Sequence, residues 1–173
     1  GLKIRTMQIK SHMEIVKALG ASPVPLSGEE EYTALQQGVI DGEENAPWWV
    51  DTAKFYEVVK NMTFDKHVYG VHFYIISKKF VDSLTPYQKS VIFEAGRRAE
   101  VTQNGLNEAR NAFAIEKLKK EGMKLYFPSE DEIAQFKKAT IEPVSTFVKG
   151  QIGATWVDQM YEAVKKVEQQ LKR

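Results

Sequence analysis

Three histidines (His12, His67, His72), two acidic runs (Glu29-Glu30-Glu31 and Glu43-Glu44) and the pair Arg5 and Asn45 are the residues whose types and spacing bear on chemistry. No H-E-x-x-H pattern joins the histidines. His12-Met13-Glu14 has the H-x-E form of zinc deaminases, but their cysteine ligands cannot exist in a chain with no cysteine. His67 and His72 lack a third ligand, so no metal is assigned. The zero also excludes thiolate catalysis, disulfides and Cys-ligated zinc or iron–sulfur sites. There is no G-x-S-x-G elbow and no S-x-x-K pair, and the glycines do not cluster into a phosphate loop. Glu29–Glu31 reads as a solvated helix start, where the macrodipole favours carboxylates. Glu43 and Glu44 are adjacent in a turn and diverge, unlike a general acid–base pair. The residues therefore predict no catalytic group and no cofactor.

Arg5 and Asn45 point to binding instead. Arg5 lies near the end of a first predicted strand, and Asn45 lies just past a third. In a parallel sheet, ligands sit in the crevice beyond the carboxyl ends of the strands. Arginine offers a planar fork that grips a carboxylate with two charge-assisted hydrogen bonds. Asparagine can add a donor to the same acid or a neighbouring hydroxyl. Trp48 and Trp49 come immediately after and would wall the pocket. Each also has a plainer reading: a surface salt bridge, a turn residue and two core anchors.

The elements that would place these residues alternate strand and helix, which predicts a parallel α/β sheet. Leu2–Thr6 alternates apolar and polar as a strand does. Ser11 and Glu14 have capping-box spacing, ahead of Met13, Val16 and Leu19 on one helical face. Residues 22–26 hold Pro23 and Pro25, so they form an edge strand at best. Ser27 and Glu30 repeat the capping pattern for a helix ending at Gly38. Val39–Asp41 reads as a short buried strand and Gly42–Asn45 as a turn. Pro47 opens a helix running through Val59. Val68–Ser77, rich in β-branched and aromatic residues, is the most strand-like stretch of the chain. Thr85-Pro86-Tyr87-Gln88 then starts a helix that nothing breaks before Glu121, a span of roughly 50 Å. Met123–Phe127 reads as another strand. Ser129 and Glu132 cap a helix that Pro143 should kink. A last helix puts Trp156, Met160, Val164, Val167 and Leu171 on one stripe.

Composition narrows the field further. The chain has 173 residues, with 24 Lys+Arg against 23 Asp+Glu. That balance argues against nucleic-acid binding and against a polybasic membrane-surface role. With 43% hydrophobic and 27% charged residues it reads as one ordinary folded domain. No apolar run reaches the length of a membrane span.

At the same residues the sequence becomes familiar. GLKIRT, KALGASPVPL, EEYTALQQGVIDGEEN, AKFYEVVKNMT and YIISKKF resemble, in order and spacing from Gly1 to Leu84, the substrate-binding proteins of TRAP transporters (the tripartite ATP-independent periplasmic, dicarboxylate-type family). The resemblance implies a periplasmic-binding-protein-like α/β fold, in which two lobes close on a small organic acid and are joined by strands and a long spanning helix. In that family an arginine of the K-[IL]-R block pairs with the ligand carboxylate, which implies Arg5 here. The D-G-Q-E-N block supplies an asparagine; here it reads D-G-E-E-N, which implies Asn45. Gln8, Glu44, His67 and His72 stand at positions that line or support the pocket in some relatives, and Trp48 completes the expected wall. The common F-S-E-V-Y block reads S-G-E-E-E-Y here, with Gly28 in place of the aromatic.

Family members are about twice this long and begin with a lobe that is absent here. The chain thus reads as the second lobe joined to a helical C-terminal part. Residues 1–78 form the expected ligand-binding lobe, and residues 79–173 the spanning helix and C-terminal helices that complete both lobes. Surface left open by the missing lobe would favour a homodimer. The implied function is that of a periplasmic receptor that binds an organic acid and delivers it to TRAP membrane permease subunits. The alternatives are the ligand-sensing domain of a signalling receptor and, with less to support it, an enzyme on organic acids.

Overall fold

A computed structural model describes residues 1–171. The chain forms two compact units. One comprises Gly1–Asn45, Glu57–His67 and the chain from Lys124 onward; the other comprises Ala46–Tyr56 and Val68–Met123.

The first unit holds a three-stranded parallel sheet in the order β2-β1-β3, with β1 at Lys3–Thr6, β2 at Ser22–Pro25 and β3 at Gly42–Glu43. Helices α1 (Lys10–Ala18) and α2 (Gly28–Gln36) connect the strands. β2 is an edge strand, as its prolines require. A second parallel pair joins β4 (Asn61–Thr63) to β5 (Lys124–Tyr126). Helices α6 (Glu130–Ile152) and α7 (Ala154–Leu171) come next, and α6 packs on α1. Val16, Ala34, Leu35, Ile40 and Val157 are buried in this unit.

The second unit holds α3 (Pro47–Thr52), α4 (Lys78–Ser83) and α5 (Pro86–Lys120). α3 packs on α5, and Val50, Phe55, Ala114, Leu118 and Met123 are its buried apolar residues. α5 has 35 residues, and its N-terminus is closed by the expected capping box between Thr85 and Gln88.

Several expectations are corrected. The Ser11–Glu14 box does not form. α1 starts at Lys10 behind an extended Ile9, so Ser11 already lies inside the first turn, and Glu14 binds Lys17 instead. The third strand lies at Gly42–Glu43, where a turn was expected. Asp41 accepts the Lys3 amide through its side chain, and this draws the pairing C-terminal of Val39–Asp41. α3 ends at Thr52 rather than Val59, because Lys54 turns to a φ of 57°. Val68–Ser77 pairs with no strand among the described residues. β-propensity describes a fit to a half-buried surface, and this stretch has none: Tyr69 is 90% exposed and Ile75 92%. β4 was not expected at all; its three residues are too few to show a period. α6 continues through Pro143 to Ile152. The stripe on α7 exists, but its Trp156, Met160, Val164, Val167 and Leu171 are all exposed, and Val157 beside it is the buried residue.

The cap of α6 gives a direct test of local structure. Ser129 Oγ accepts the Glu132 amide at 3.3 Å, and Glu132 accepts the Ser129 amide at 2.8 Å. Ser129→Ala should lower stability by about 1 kcal/mol, read as a shift of the denaturant midpoint at constant slope. An unmoved midpoint would show that the cap adds nothing.

Candidate functional site

Two adjoining polar clusters form at the carboxyl ends of β1 and β3, both within the first unit. Register sets Arg5 of β1 beside Glu43 of β3. Arg5 is buried, only 4% exposed. Its Nε and Nη2 donate to the Leu26 carbonyl at 3.1 and 3.0 Å, and Nη1 lies 3.2 Å from Glu31 Oε2. Glu31 is fully buried. This corrects the reading of Glu29–Glu31 as a solvated helix start. Glu31 shares a helical face with Ala34 and Leu35, both buried, a spacing compatible with burial that does not by itself single it out from Glu29 and Glu30.

Asn45 closes the first cluster. Its Nδ2 donates to Glu31 Oε1 at 3.0 Å and to Glu43 Oε2 at 2.8 Å. Two carboxylate oxygens at these distances fix the amide's orientation: both N–H donors are committed, and Oδ1 remains as an acceptor. Burial, then the neighbouring charge of Glu31, pushes the Glu43 carboxyl up to about 7 against the opposing Asn45 hydrogen bond.

The second cluster centres on Glu44. His12 Nδ1 lies 3.0 Å from Glu44 Oε1, and His67 Nε2 lies 3.5 Å from Glu44 Oε2. His67 Nδ1 lies 2.6 Å from Asp65. Burial alone would raise the Glu44 carboxyl, but the hydrogen bonds and charges of His12 and His67 outweigh it and hold Glu44 at about 2. Burial alone would lower His67, but Asp65 and Glu44 raise it to about 9. With an acid at each ring nitrogen, His67 is an imidazolium that donates from both. Among the described residues no group of these side chains is arranged to hold a metal ion.

Of the expected site residues, Arg5 and Asn45 share the first cluster, and Glu44 and His67 the second. Gln8 lies exposed in the bend between β1 and α1. Trp48 and His72 belong to the second unit. Trp48 stacks edge-on with Trp49, with Arg110 at 5.5 Å from its ring, and lines a cavity of about 130 Å³ with Gln103, Leu106 and Asn107. His72 is exposed in the unpaired 68–77 stretch. Glu31, Glu43, His12 and Asp65 complete the clusters and were not expected there. Asp65 and His67 form a local pair two residues apart; His12 reaches Glu44 across 32 positions, which spacing does not reveal.

A parallel sheet with polar residues gathered at the carboxyl ends of its strands is an arrangement suited to holding a ligand. Solved structures share this fold. A TRAP periplasmic solute-binding protein from Ochrobactrum anthropi superposes with a TM-score of 0.86 at 36% identity, covering 98% of this chain and 53% of that one. Another, from Polaromonas sp. JS666 and bound to D-erythronate, gives 0.79 at 34% identity, covering 92% and 52%.

The chain belongs to the DctP family, the bacterial extracellular solute-binding proteins of family 7, whose pattern matches residues 1–151. It is 30% identical to the sialic acid-binding periplasmic protein of Vibrio cholerae, over 92% of this chain and 49% of that protein. It is 31% identical to the C4-dicarboxylate-binding periplasmic protein of Rhodobacter capsulatus, over 89% and 46%. These relatives are periplasmic solute receptors, not enzymes. The chain spans about half the length of the curated relatives it matches. No helix among the described residues is long and apolar enough to cross a membrane.

Proposed function

We propose that the protein captures a small organic acid in the periplasm and delivers it to TRAP membrane permease subunits. One observation carries this reading: a buried arginine at the carboxyl end of β1 in a solute-binding family. Arg5 has five N–H donors. Three are used on Leu26 and Glu31. One on each Nη remains for a ligand carboxylate. Relatives named for sialic acid, C4-dicarboxylates and D-erythronate all take carboxylic acids. In this reading residues 1–78 supply a ligand-binding lobe and residues 79–173 the spanning and C-terminal helices. Gln8, Glu44, His67, His72 and Trp48 line or support the pocket in the intact protein, and lobe closure buries the ligand and creates the surface the permease reads. Self-association finds no support in the comparisons and forms no part of this reading.

The test is a thermal-shift screen of the intact gene product against small organic acids, with Arg5→Lys in parallel. A ligand at 100 times its Kd should add about 2.7 kcal/mol, several degrees in midpoint. Arg5→Lys keeps the cation beside Glu31 but loses the fork, so it should bind the same acid at least about tenfold more weakly. An acid bound equally well by both proteins would remove Arg5 as the anchor.

A further inference from the structure

The first cluster holds one guanidinium and two carboxylates. Arg5 is already ion-paired with Glu31, and Asn45 bridges Glu31 to Glu43 through a single nitrogen. Among the described residues Glu43 has no cation within ion-pair distance, and Asn45 offers only its Oδ1. A simple carboxylate docked on Arg5 would be a third acid around one cation, and at pH 8, where Glu43 is ionised, like charges in this partly desolvated site repel. A ligand that brings its own cation removes that conflict. Its carboxylate takes the remaining Arg5 donors, and its N–H donors take Glu43 and Asn45 Oδ1.

We infer that this receptor selects a zwitterionic solute, a carboxylate that also carries a cationic nitrogen, and that Glu43 is the residue that selects it. The inference rests on the organic-acid reading above and narrows its substrate class. Glu43 is faced by Arg5 from β1, by Glu31 from α2, and by Glu44 and Asn45 immediately after it in the chain. None of these except Glu31 and Glu44 carries negative charge, and neither of the two is free of a cationic partner. Glu43 is thus the acid left to receive the ligand's nitrogen.

The experiment is titration calorimetry on the intact protein with 2-amino and 2-hydroxy acids that share a skeleton: alanine and lactate, serine and glycerate, aspartate and malate, glutamate and 2-hydroxyglutarate. In at least one pair the amino acid should bind about tenfold or more tightly than its hydroxy partner at pH 8. Glu43→Gln, which keeps shape and removes charge, should shrink that ratio to within about threefold. In the unsubstituted protein the ratio should also narrow from pH 8 to pH 5.5. This arm is read on alanine and lactate and on serine and glycerate, whose charges stay nearly constant over that range while Glu43 takes up its proton. Hydroxy acids bound as tightly as amino acids would overturn the inference, as would a ratio that Glu43→Gln leaves unchanged. If no acid of either kind binds, nor any of the wider panel, the acid-receptor reading itself falls.

Discussion

Arg5→Ala should lower stability by about 3–5 kcal/mol, because it strands the fully buried Glu31 carboxylate without its cation. The cost comes from what is left behind, not from the strength of the pair. A buried ion pair against hydrophobic residues of similar volume is often close to neutral. The double replacement Arg5→Met with Glu31→Val should therefore recover most of the loss, although it would still lack the acid anchor. Denaturant unfolding of the three proteins at pH 7, compared at equal slope, separates these cases. An Arg5→Ala midpoint equal to that of the parent would show that Glu31 does not depend on Arg5.

The second large effect lies in the Glu44 cluster and depends on pH. His67 holds its proton more tightly folded, at about 9, than its ordinary 6.5. Its contribution is complete below 6.5 and is lost as pH rises through about 9. Glu44 holds its proton less tightly folded, at about 2 against an ordinary 4.5. Its contribution is complete above 4.5 and is lost as pH falls through about 2. Glu43, raised from 4.5 to about 7, favours the folded state most below 4.5, and that contribution is lost as pH rises through about 7. Stability should peak near pH 4.5 and decline toward pH 9, first through Glu43 and then through His67. His12 first and His67 second hold Glu44 low against its burial, so Glu44→Gln should cost about 2–3 kcal/mol near pH 6. That cost should shrink by pH 9.5, where His67 is mostly neutral. Thermal unfolding across this range checks both; equal cost at pH 6 and 9.5 would show that the Glu44 contribution is not ionic.

How much of the fold and site was legible depended on the range of the interactions. The capping boxes at Ser27, Thr85 and Ser129 involve partners three residues apart, and all three appear. The Ser11 box has the same letters and fails, because helix α1 begins one residue before it. Arg5 and Asn45 were legible as residues at strand ends, and both reach Glu31. What lay beyond the sequence was the residue between them. Glu31 is one of three consecutive acids, and only the packing of α2 decides which of the three is buried. The error at Val68–Ser77 is of another kind. Its composition describes a strand accurately, but a strand exists only through a partner, and no described residue of this chain provides one.

The prolines of β2 have a consequence for the edge of the sheet that β2 forms. Ser22 donates its amide to Leu2 and Leu26 donates to Thr6, so the even-numbered residues of this segment turn their amides toward β1. Pro23 and Pro25 alternate with them and face outward. Neither has an N–H. The outer rim of the sheet therefore displays carbonyls and no donors at these positions. An approaching strand, whether from another copy or from a chain still unfolded, would find only half of a ladder to pair with. The sheet ends at β2 by chemistry as well as by topology, and this guards it against edge-to-edge aggregation.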